Sequence, residues 1–121
     1  MKTLQSNFTT LEQSKRLLEL GVPAGSADCV WHNPYYDGER PELAEIYVWK
    51  GKYPQRVDKY TLPCWSVGRL MKICKICETK KDYMRLCDEL KECQDYCVLI
   101  VSHIIANLPT IDFSKLEEYY V

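Results

Sequence analysis

Leucines at positions 11, 17, 18 and 20, with Ser14 in the slot between, form one stripe at helical spacing and predict a helix over residues 9–20. Thr9 or Thr10 can cap its start, because each has Glu or Gln three positions on (Glu12, Gln13), the spacing of a capping box. Lys15 and Arg16 sit towards the C-terminal half, where the helix dipole favours cations. Gly21 and Pro23 then close the helix.

The period next shortens to two. Cys29, Val30 and Trp31 read as extended, and Pro34, Asp37-Gly38 and Pro41 mark a loop after them. Residues 44–51 predict the best strand, with Ile46 and Val48 on one side and Tyr47 and Trp49 on the other. Residues 57–62 predict another. Pro63 pushes Leu62 out of the helical region, and Trp65, Leu70, Met71, Cys74 and Cys77 then share one helical face. This predicts a helix over 64–77 entered directly from a strand. Residues 78–90 fit either strand or helix. From Lys91 to Leu108 the apolar positions Cys93, Cys97, Ile100, Val101, Ile104 and Leu108 predict a mostly buried helix, which Asn107 and Pro109 end. Ser114, with Glu117 three positions on, predicts a last short helix reaching Tyr120. The expected fold class is α+β: a small antiparallel sheet of about three strands packed against three to four helices, in a single domain over residues 1–121.

Composition narrows the function classes. Of the 121 residues 46% are hydrophobic and 27% charged, ordinary values for a globular chain. A net charge of −1 argues against a protein held to nucleic acid by charge alone. No apolar run approaches the ~20 residues of a membrane span, and the first twenty residues hold no continuous apolar stretch of the signal-peptide kind. The expected location is the cytoplasm.

Seven cysteines are an odd number, so they cannot all pair within one chain. The first reading is reduced thiols that pack as small apolar residues, with no cofactor. The alternative is a zinc-stabilised binding domain, with Cys74 and Cys77 of "CKIC" as one pair of ligands and Cys93 and Cys97 as the other. Against it, the first pair lies on a stripe already explained as core, and neither pair is flanked by the Gly or Pro turns of zinc knuckles. A thioredoxin-like role would need the pair at a helix start, where the dipole lowers the thiol pKa; here it ends one.

There are two histidines. His103 falls on the buried helix. His32 lies near Asp28, Asp37 and Glu39, but no Ser or Cys motif supplies a nucleophile, so no catalytic residue is assigned. The aromatic residues point elsewhere. Trp31, His32, Tyr35, Tyr36, Tyr47 and Trp49 crowd the sheet half, and alternation cannot bury them all on one face. They form the candidate binding surface, for another protein or for a second copy of the chain. Lys50, Lys52, Arg56 and Lys59 interleave with this set, which keeps a single-stranded nucleic acid as a further alternative.

Two boxes carry a resemblance. Gln13, Ser14, Lys15, Leu17, Leu20, Gly21, Ala27 and Asp28 form the first, and Pro63, Trp65 and Ser66 the second. Together they resemble a family of small, uncharacterised proteins associated with phages and mobile elements of gut bacteria. Cys64 departs from the pattern, which has Ala there. The resemblance reaches to about residue 75 and implies a small α+β domain in a phage-like or mobile-element setting, with no activity attached. On this reading Asp28, Pro63, Trp65 and Ser66 are structural corners, and the protein is a non-enzymatic accessory or protein-interaction module.

Overall fold

The structure, a computed structural model, describes residues 7–33, 44–48, 61–77, 79–113 and 115–116, apart from the side chains of Val48 and Cys77. It shows the expected α+β fold, with four α-helices and a three-stranded antiparallel sheet among the described residues. The chain divides into two compact units, Thr9–Ser66 and a second made of Met1–Phe8 with Val67–Val121.

The first unit opens on helix α1, Leu11–Glu19. Thr10 is its cap: its hydroxyl accepts from the Gln13 N–H at 3.1 Å, and Gln13 Oε1 accepts from the Thr10 N–H at 2.9 Å. At the other end the Gly21 and Val22 N–H groups return to the carbonyls of Leu18 and Leu17, which satisfies two carbonyls left open by the helix. That return needs φ of +104° at Gly21, a region where a side chain would be strained. Leu17 and Ser14 are the buried positions of the helix.

Strands β1 (Cys29–His32), β2 (Glu45–Val48) and β3 (Thr61–Cys64) follow, ordered β2-β1-β3. Cys29 faces Cys64, Val30 faces Tyr47 and Pro63, Trp31 faces Ile46 and Leu62, and His32 faces Glu45 and Thr61. Opposed residues share a face and successive ones alternate. One face therefore carries Cys29, Trp31, Ile46, Leu62 and Cys64, and the other Val30, His32, Glu45, Tyr47, Thr61 and Pro63.

The strand-to-helix junction differs from expectation. The strand runs on through Pro63 and Cys64, and helix α2 spans Val67–Cys77. Proline is tolerated because β3 is an edge of the described sheet. Helical bonding is then unavailable to Trp65, whose carbonyl accepts from the Thr9 N–H at 2.9 Å and whose N–H donates to Thr9 Oγ1 at 3.1 Å.

In the second unit α2 packs on helix α4, Tyr96–Asn107, and helix α3, Lys80–Leu90, touches both. Leu70, Ile73 and Cys74 of α2 and Cys97, Ile100, Val101 and Ile104 of α4 are buried, with Leu86 from α3. Residues 78–90, undecided from the pattern, are helical from Lys80 because Thr79 Oγ1 accepts from the Asp82 N–H at 3.1 Å. The next helix starts at Tyr96, five residues later than expected, because Asp95 caps it by accepting from the Val98 N–H at 3.2 Å. A 3₁₀ turn over Leu108–Thr110 ends it. Of the last short helix, residues 114 and 117–120 lie outside the described residues. No described helix is long and apolar enough to cross a membrane.

Candidate functional site

The two sequence boxes meet inside the first unit. Asp28 lies just before β1 and Ser66 just after β3. Asp28 Oδ1 accepts from the Ser66 N–H at 2.9 Å, and Oδ2 accepts from the Ser66 hydroxyl at 2.5 Å. One residue thus engages both carboxylate oxygens, and charge-assisted bonds of this kind fix backbone firmly. Trp65 is fully buried, and its indole N–H donates to Ser26 Oγ at 3.0 Å. Ser26 Oγ in turn donates to the Pro23 carbonyl at 2.6 Å. Pro63 is also buried.

Thr9 is the hub that the sequence did not announce. It was legible only as a cap, yet it is fully buried. Its hydroxyl lies 2.8 Å from Ser14 Oγ as well as accepting from the Trp65 N–H. Its carbonyl accepts from the Trp31 indole N–H at 2.9 Å and from the Cys64 thiol at 3.6 Å. The available signal was Ser14: a serine in the apolar slot of a helix stripe needs a buried polar partner.

The register divides the aromatic set. Trp31 is half-buried on the face of Ile46 and Leu62, tied to Thr9. His32 and Tyr47 lie on the opposite face. Tyr47 is 43% exposed. Its hydroxyl donates to Glu45 Oε2 at 3.0 Å, and its ring meets His32 edge-on with centroids 6.1 Å apart. His32 Nδ1 lies 3.1 Å from Thr61 Oγ1. An exposed tyrosine is therefore braced by Glu45 of its own strand and His32 of β1, and His32 in turn meets Thr61 of β3. Tyr35, Tyr36 and Trp49 lie outside the described residues, as do Lys50, Lys52, Arg56 and Lys59.

His103 is half-buried and lies 3.2 Å from Glu89 Oε1, joining α4 to α3. Among the cysteines, Cys74 and Cys97 are buried and Cys93 is half-buried, while the Cys77 side chain lies outside the described residues. Among the described residues no three His, Cys, Asp or Glu side chains gather as metal ligands would. Burial, helped by the Asp95 carboxylate, pushes the Cys97 thiol up to about 11 from an ordinary 9.0.

That shift has a measurable consequence. Between the ordinary thiol value and about 11, the unfolded chain has released this proton and the folded chain has kept it. Stability is then lost as pH rises through that window. Raising the pH from about 8 to about 10.5 should cost the unaltered chain about 2 kcal/mol more than it costs Cys97→Ala. Urea unfolding of both proteins at the two pH values checks this, and equal losses would contradict it.

No family model matches the chain, and neither a curated protein nor a solved structure matches it.

Proposed function

We propose that this protein is a non-enzymatic accessory module of the phage or mobile-element kind, acting in the cytoplasm by binding another protein through the sheet face that carries Tyr47. The observation that carries the reading is the exposed Tyr47 ring, held in place by His32 and Glu45. A pre-positioned aromatic side chain loses little conformational freedom on binding, and residues of this type dominate interface energetics. The fate of the reactive side chains supports a binding role over a catalytic one. Ser66 is spent on Asp28, Thr9 on Ser14 and Trp65, and His103 on Glu89. The phage-like setting rests on the two boxes. The cytoplasm rests on the reading of the cysteines as reduced, packing thiols, which suits a reducing compartment.

The test has two arms. Sedimentation over a concentration range reports self-association, and selection from a displayed peptide library reports other partners. Tyr47→Ala should weaken the association found in either arm by about tenfold or more, with melting unchanged. Met84→Ser, at an exposed site on α3, should leave it intact. A monomer with no ligand that depends on Tyr47 overturns the proposal.

A further inference from the structure

We propose that Cys29 and Cys64 form a reversible redox pair, which a hydroperoxide converts to a cross-strand disulfide joining β1 to β3. The inference rests on sheet register alone and is independent of the Tyr47 surface. Cys29 and Cys64 are direct partners in the antiparallel β1–β3 ladder and so present their side chains on one face. Directly opposed residues have Cα atoms about 4.5–5.5 Å apart, inside the about 4.4–6.8 Å window of a disulfide. Their Cβ atoms start about 4.5–5.5 Å apart and must close to about 3.5–4.5 Å. The bridge therefore forms with a small local movement and carries some strain, and strained bridges are the readily reduced ones.

Neither thiol has solvent around it: Cys29 is 1% exposed and Cys64 0%. Such burial keeps bulky disulfide reagents out and favours a small oxidant. In the first step one sulfur attacks a peroxide oxygen. The S–O bond forms, the O–O bond breaks, and the thiol proton leaves with the departing oxygen as water or alcohol. In the second step the other sulfur attacks the sulfenic acid. The S–S bond forms, the S–O bond breaks, and hydroxide leaves with the second thiol proton as water. Two thiols are oxidised by two electrons and one hydroperoxide is reduced.

The surroundings tolerate the change. Oxidation removes the Cys64 S–H bond to the Thr9 carbonyl, but that carbonyl keeps the Trp31 indole N–H at 2.9 Å. The Thr9 hydroxyl, which also lies 3.7 Å from Cys64 Sγ, keeps Ser14 and the Trp65 N–H. After oxidation the Thr9 carbonyl and hydroxyl therefore each still have a partner, so neither is left buried and unpaired. The bridge closes a loop of about 35 residues and restricts the unfolded chain.

The full-length protein is exposed to hydrogen peroxide, alkylated and digested without reductant. The expected product is one peptide pair linking Cys29 to Cys64, lighter by two hydrogens and undone by dithiothreitol. Melting temperature should rise on oxidation and return on reduction, and Cys64→Ala should abolish that reversible rise. Recovery of Cys29 and Cys64 as alkylated thiols after unfolding, while Cys87 or Cys93 is oxidised, overturns the proposal. The peptide map decides on the unaltered chain, so a variant that folds poorly does not obscure the answer.

Discussion

Replacing Trp65 with alanine should lower the unfolding free energy by about 3–5 kcal/mol, the cost of deleting a large core side chain. Trp65 is the largest of the fully buried side chains among the described residues, and its indole ties the second sequence box to Ser26, next to the first. Its removal has three consequences. The apolar ring leaves a cavity, the Ser26 hydroxyl loses a donor at 3.0 Å, and the corner that joins β3 to the following segment loses its anchor. Small domains have about 5–15 kcal/mol in total, so this variant should be partly unfolded near physiological temperature. Trp65→Phe separates the contributions. Phenylalanine retains much of the ring and loses the indole bond, for which about 1 kcal/mol is expected beyond the packing change. Urea unfolding followed by far-ultraviolet circular dichroism avoids relying on the fluorescence of the residue removed. An unaltered midpoint for Trp65→Ala would refute the assignment of this residue as the centre of the core.

Thr9→Val should be nearly as damaging, at about 2–4 kcal/mol, although the two side chains have almost the same shape. Valine fills the space but neither accepts from the Trp65 N–H nor pairs with Ser14. Both of those groups are buried, and water cannot replace the lost partner. Adding Ser14→Ala to Thr9→Val should recover part of the loss, because it removes one of the orphaned groups. The double-mutant cycle then gives a coupling energy of about 1–2 kcal/mol. Strict additivity would mean that the Thr9–Ser14 contact contributes nothing.

These residues show where a sequence pattern informs and where it stops. The capping box at Thr10 and Gln13 was legible because every bond in it is local. The three-strand sheet was legible from alternation, and β2 was placed by its β-branched and aromatic run. Thr9 was not, because its partners Ser14, Cys64 and Trp65 come from α1, β3 and the junction after β3, and no spacing rule connects them. Cys64 was assigned to a helix because Pro63 commonly opens one; the edge position of β3, invisible in one dimension, allows proline inside the strand. The start of α4 was misplaced because Cys93 continues the apolar period, whereas the chain follows the Asp95 cap. The candidate surface shows the same limit. Alternation says that neighbouring aromatic residues point apart, but only the register reveals that His32 meets Tyr47 edge-on while Trp31 turns to Thr9.

The bond between Thr9 and Trp65 also sets an order of events during synthesis. Chains emerge from the ribosome N-terminus first. The cap and ladder of helix α1 lie within it, so its own hydrogen bonds need no later residue. Trp31 can pair its strand with β2 somewhat later. The Thr9 N–H and hydroxyl, however, wait for Trp65, which is translated far downstream, and β1 has its second neighbour only once β3 has emerged. Until then the nascent segment carries a helix whose buried serine has no interior to enter. The Thr9–Trp65 bonds of this unit can therefore form only after the Leu-Pro-Cys-Trp-Ser stretch is released.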